Sequence, residues 1–103
     1  MRTESVDAGG ARLEVRRWGE AGSTPLLFLH SLGPAASAAF MGLGVRPIVE
    51  DGYEVAAPDM PGFGGSPPVA ADGYVVPRLA ELAWDLADAL GWERLTLAGH
   101  CSL

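Results

Sequence analysis

Residues Leu95–Leu103 read LTLAGHCSL, a short apolar run that passes through Gly99-His100 into two side chains able to act as nucleophiles, Cys101 and Ser102. An apolar run of that length, stopped by Gly, reads as a buried strand. A reactive side chain just past its end sits on a sharp turn above a sheet, where small neighbours relieve the strain of an unfavourable backbone angle. The residues before this stretch decide whether such a sheet exists.

Working backward, Leu79, Leu82, Ala83, Leu86, Ala87 and Leu90 recur at helical spacing, with Glu81, Asp85 and Asp88 on the other side. Gly91 ends that helix. Tyr53–Ala57 (YEVAA) is a short strand closed by Pro58, and Pro25–Leu29 (PLLFL) is a continuous apolar run of the kind buried on both faces. Between them, Gly42, Gly44 and Pro47 break any long helix, leaving a short one from Val45 to Asp51 with Gly52 as its stop. At the start, Ala11–Arg17 (ARLEVRR) alternates apolar and charged residues and pairs with Glu4–Asp7 across Ala8-Gly9-Gly10 as a hairpin. The order is β-hairpin, β, α, β, long loop, α, β, which predicts an α/β fold with a parallel sheet.

Composition narrows the function. The 103 residues allow one small domain, and an apolar fraction of 49% is that of a globular chain. The net charge is −6, and all seven basic residues are scattered arginines, so no basic patch invites nucleic acid. Without Lys there is no nucleotide P-loop. A single Cys allows neither an internal disulfide nor a Cys-based metal site, and no metal or cofactor is expected. No run is long enough to span a membrane, and MRTESVDAGG lacks the apolar core of a secretory signal, so the expected location is cytoplasmic.

Three loops follow the three parallel strands at their C-terminal ends, the edge where open α/β sheets bind ligands. The first, Leu29-His30-Ser31-Leu32-Gly33-Pro34, forms a tight turn whose amides can face a developing oxyanion; His30 itself reads as a pin for the turn. The second runs Pro58-Asp59-Met60-Pro61-Gly62-Phe63-Gly64-Gly65-Ser66-Pro67. There Asp59 can lock the loop by accepting amide hydrogen bonds, and Pro67-Pro68 argue against a phosphate loop. The third is the stretch quoted at the outset. A dinucleotide-binding turn would need more glycines than the one at Gly33.

Together these loops resemble the N-terminal half of the α/β-hydrolase family over nearly the whole chain. FLHSLGP is similar to the family's oxyanion loop, with Ser31 in place of its first Gly as in enol-lactonase-like members. Asp59, Pro61, Gly62, Gly64 and Ser66 match its Asp-x-Pro-Gly-x-Gly-x-Ser loop, and LAGHCSL resembles its Gly-His-Ser-x-Gly nucleophile elbow. The resemblance implies a hydrolase of ester, lactone or related carbonyl bonds, with a small-molecule substrate. The amides of Leu32 and of the residue after the nucleophile, Ser102 if that is Cys101, would form the oxyanion hole. Gly99 and His100 would shape the elbow, and His30, Gly33 and the Asp59 loop would be structural. Counting two on from Gly99 gives Cys101 as nucleophile, but then Leu103 falls where a second Gly belongs. Passing over Cys101 gives the commoner Gly-His-Ser, and reading Ser102 without that deletion puts His100 in the first Gly position.

In this family the acid and the base His follow the nucleophile, and neither residue type follows Ser102 here. Residues 1–103 are therefore expected to be the N-terminal portion of one such domain, incomplete at the elbow and inactive by themselves. The last strand's open edge is then expected to promote association. A non-catalytic binding or regulatory relative is the alternative. With no Asp in the elbow, haloalkane dehalogenase and epoxide hydrolase chemistry are disfavoured.

Overall fold

The computed structural model describes residues 1–30 and 44–99. Its strands are β1 (Arg2–Ala8), β2 (Ala11–Trp18), β3 (Thr24–Leu29), β4 (Tyr53–Pro58) and β5 (Thr96–Gly99), and its helices are α1 (Val45–Glu50) and α2 (Val76–Ala89). A 3-10 turn, Ala71–Tyr74, lies within the stretch expected to be loop. The boundaries of the strands and of α1 shift by one or two residues from expectation. β4 takes in Pro58, and β5 begins at Thr96 and ends on Gly99.

The strands form one mixed sheet in the order β1-β2-β4-β3-β5. The hairpin is antiparallel, and β2 continues antiparallel onto β4; β3 then pairs parallel with β4 on one side and β5 on the other. Gly9 and Gly10 take φ of 57° and 88°, the two positive values of a type I′ hairpin turn. Because β4 and β5 flank β3 on opposite sides, right-handed crossovers to them must run over opposite faces. The core obeys this. Leu27 and Ala56 pack with Leu86 and Ala87 of α2, whereas Leu26, Phe28, Val55 and Ala57 pack under Val45, Ile48 and Val49 of α1.

Helix α2 ends in a Schellman motif: the Gly91 amide donates to Asp88 O (3.0 Å) and the Trp92 amide to Ala87 O (2.9 Å), with Gly91 at φ 76°. That turn drops Trp92 into the core. Its indole Nε1 donates to Glu54 (3.2 Å) while its ring lies 5.4 Å from the Arg17 guanidinium, and Arg17 bonds Glu54 (3.4 Å) and Glu4 (2.7 Å). Leu79, read as a core residue of α2, sits half-buried near the strands' C-terminal edge, and Asp85 lies against the Gly9 turn rather than facing only solvent. β5 has no strand on its outer side among the described residues; Leu97 on it and Trp84 beside it are each 61% exposed.

Candidate functional site

Register brings the loops together. β3 and β5 pair to their last residues, Leu29 opposite Gly99, so the chain leaves both strands side by side. β4 ends next to them at Pro58, opposite Val15 of β2. Residues Ala11–Glu14 therefore overhang the C-terminal edge of β4 and stand behind the loop that follows it.

That overhang holds the Asp59 loop. The Asp59 amide donates to Glu14 O (2.8 Å), and Ser66 Oγ both accepts the Glu14 amide (2.9 Å) and donates to Asp59 O (2.5 Å). The buried Asp59 carboxylate accepts the Gly65 amide (3.1 Å) and meets Arg16 Nη1 (3.4 Å). Gly62 and Gly64 have φ of 83° and 51°. A side chain on Gly64 would overlap the Asp59 carboxylate, and one on Gly65 would overlap Glu14. Pro61 is buried, and the turn closes through Phe63 N–H to Met60 O (2.9 Å) and Ser66 N–H to Phe63 O (3.0 Å). Asp59, Gly64 and Ser66 are thus parts of one hydrogen-bonded loop, which the motif spacing had grouped. Glu14 and Arg16 come from the hairpin and belong to no motif; their alternation against Leu13 and Val15 was the available signal.

The loop is tied to the first one by His30. The Met60 amide donates to His30 Nε2 (2.9 Å), and Phe63 stands edge-on to the imidazole with centroids 5.3 Å apart. An Nε2 that accepts an amide fixes the neutral Nδ1–H tautomer, whose only lone pair is then occupied. His30 consequently has no nitrogen lone pair left to take a proton from a nucleophile, and its position is that of a pin between loops. Ser31, Leu32 and Gly33 of the expected oxyanion loop, and His100, Cys101 and Ser102 of the expected elbow, lie outside the described residues. Gly99 closes β5. Among the described residues no cluster of His, Cys, Asp or Glu is placed to hold a metal, and no helix is long and apolar enough to cross a membrane.

Replacing Asp59 with Ala removes its charge-assisted contacts to the Gly65 amide and to Arg16. Gly65 is exposed and Arg16 partly so, and both regain water. The expected loss is therefore only about 2 kcal/mol. Hydrogen exchange should speed at Gly65 but not at the Asp59 amide, which Glu14 O holds independently. Equal acceleration at both would mean that the carboxylate, not the hairpin, anchors the loop.

Residues 24–102 match the family described as alpha/beta hydrolase fold. The chain is 34% identical over 96 residues to Epoxide hydrolase A of Mycobacterium tuberculosis, covering 92% of this chain and 29% of that protein. It is 31% identical over 99 residues to the 2-hydroxy-6-oxononadienedioate/2-hydroxy-6-oxononatrienedioate hydrolase of Klebsiella pneumoniae, covering 93% and 34%. The crystal structure of Epoxide Hydrolase A from Mycobacterium thermoresistibile superposes with a TM-score of 0.88 at 32% identity, over 97% of this chain and 31% of that one. The chain thus spans about a third of the length of these relatives.

Proposed function

The chain belongs to the α/β hydrolase fold family, and from that premise we propose that its C-terminal strand edge serves nucleophilic acyl transfer on an ester, lactone or related carbonyl compound. The observation that carries this reading is the convergence of the β3, β4 and β5 ends, with the His30 and Asp59 loops tied to each other and Leu29 in register with Gly99. Gly99 at the end of β5 favours Cys101, two residues on, as nucleophile; Ser102 is the alternative. The nucleophile's Sγ or Oγ adds to the carbonyl carbon while the C=O π pair moves to oxygen, where the Leu32 amide and the amide after the nucleophile would hold it. Collapse expels the alkoxide, which takes up a proton, and water then cleaves the acyl-enzyme.

The deprotonating base is a His in this reading, and these residues supply none. His30 is committed to the Met60 amide, and His100 adjoins the nucleophile. The 103 residues by themselves are expected to hydrolyse p-nitrophenyl acetate no faster than buffer; sustained turnover would overturn this assignment of roles.

Relatives named as epoxide hydrolases raise a different chemistry. A thiolate or alkoxide can open an epoxide, forming an S–C or O–C bond as the ring C–O bond breaks and the ring oxygen takes a proton. The product is a thioether or ether with no carbonyl for water to attack, so the reaction stops after one alkylation. Ester chemistry regenerates the nucleophile. In the polypeptide encoded by the reading frame that contains these residues, iodoacetamide and a fluorophosphonate should label Cys101 or Ser102, and styrene oxide should yield no diol. Diol release would refute the acyl-transfer reading. Labelling at neither residue would favour a non-catalytic binding protein, which the poor fit of Leu103 to the elbow pattern also supports.

A further inference from the structure

A cleft of about 540 Å³ opens at this edge between the His30–Met60 tie and the start of α2. Its walls include Leu29, Met60, Phe63, Tyr74 and Leu79, and among the described residues no Asp, Glu or Arg lines it. The volume lies within the range of roughly 300–1,000 Å³ usual for small-molecule sites. Among the described residues, two polar side chains, His30 and Tyr74, reach it. His30 has its Nε2 occupied, as above. The Tyr74 hydroxyl accepts the Val69 amide (3.2 Å) and packs against Gly62, which leaves its own proton without an acceptor among the described residues. The described walls therefore offer apolar and aromatic surface with the Tyr74 hydroxyl as a donor.

Resting on the acyl-transfer reading, we propose that this cleft seats the uncharged, planar apolar group of the substrate, an aryl or alkenyl moiety beside the reacting carbonyl, with the Tyr74 hydroxyl donating to its oxygen. Charge decides the class. A carboxylate moved from water into a wall without a cation loses hydration with nothing in return, and the chain's net charge of −6 repels a dianion before contact. An aromatic ring instead meets the Phe63 ring and the Met60 thioether, both favourable partners for a π face or edge. Position agrees with this role: Leu29 lines the cleft and pairs with Gly99, two residues before Cys101.

The test needs no bond to be made. Phenylacetone, the carbon isostere of phenyl acetate, is titrated into the isotope-labelled chain and followed by NMR, with adipate as the dianionic comparison. Intermolecular NOEs from the phenyl protons to the Met60 and Leu79 methyls are expected, while adipate leaves those methyls unmoved. Phe63→Ala should weaken binding about tenfold. Tyr74→Phe, which keeps the ring, should weaken it roughly fivefold. Amide dispersion elsewhere in each variant's spectrum reports that the fold is kept. Absence of the NOEs, equal binding of adipate, or NOEs from the chain's own residues filling the cleft would each overturn the proposal. Labelling of Cys101 or Ser102 without these NOEs removes the cleft and leaves the chemistry standing. NOEs without labelling keep the cleft as a binding site and remove the chemistry.

Discussion

Glu54→Ala is expected to lower stability by about 3–5 kcal/mol, the largest effect of any single substitution considered for this chain. Glu54 lies in the central strand β4 with its side chain 7% exposed, and Arg17 beside it is 9% exposed. Removing the carboxylate leaves a buried guanidinium with Glu4 as its remaining carboxylate partner and the Trp92 ring beside it, and its Nε already lacks a hydrogen-bond partner among the described residues. The Trp92 indole N–H loses its acceptor as well. Because domains of this size are stable by only about 5–15 kcal/mol, the loss is a large fraction of the whole and should be read as a fall in the urea midpoint. Glu54→Gln should lose less, since the amide can still accept from Trp92. The deciding variant is the double replacement Glu54→Leu with Arg17→Met. If the penalty is a stranded charge, the apolar pair recovers most of the loss. If the double variant is as unstable as Glu54→Ala, packing at Trp92 rather than charge accounts for the effect.

That cluster was hidden in the sequence, and the reason is physical. Residues 17, 54 and 92 come from two strands and the turn after α2, and a long-range ion pair leaves no periodicity. The one available signal was an acidic residue inside YEVAA, an apolar strand headed for the middle of a sheet, where a buried charge demands a partner. The fold was legible because its determinants are local. ARLEVRR carries the period of a half-buried strand, Gly9-Gly10 the positive angles of a hairpin turn, and Gly52 and Gly91 the stops of two helices. The Asp59 loop was legible for the same reason, since Asp59, Gly64 and Ser66 lie within eight consecutive residues. Its outer supports, Glu14 and Arg16, and the tie from Met60 to His30 depend on β2 overhanging β4, a matter of register. The cleft depends on where Tyr74 and Leu79 fall at the mouth of the sheet, and helical periodicity alone assigned Leu79 to the core.

Gly64→Ala separates two contributions that the loop motif combines. At φ 51° an L-residue costs about 1–2 kcal/mol. The new methyl would also overlap the carboxylate of Asp59, which cannot swing away because it is buried and bonded to Gly65 and Arg16. Together they should cost about 2–4 kcal/mol in denaturant unfolding. Gly22→Ala supplies the reference: its φ is 92° and nothing lies within 4 Å of the added carbon, so only the backbone cost remains. A double-mutant cycle then isolates the overlap. In an Asp59→Ala background the obstructing carboxylate is gone, and Gly64→Ala should cost no more than Gly22→Ala does, a coupling of about 1–2 kcal/mol. Strict additivity would show that the glycine is required for its backbone angle alone. A full coupling would show that Asp59 and Gly64 must be kept or lost together, because the carboxylate that locks the loop occupies the space that a side chain at residue 64 would need.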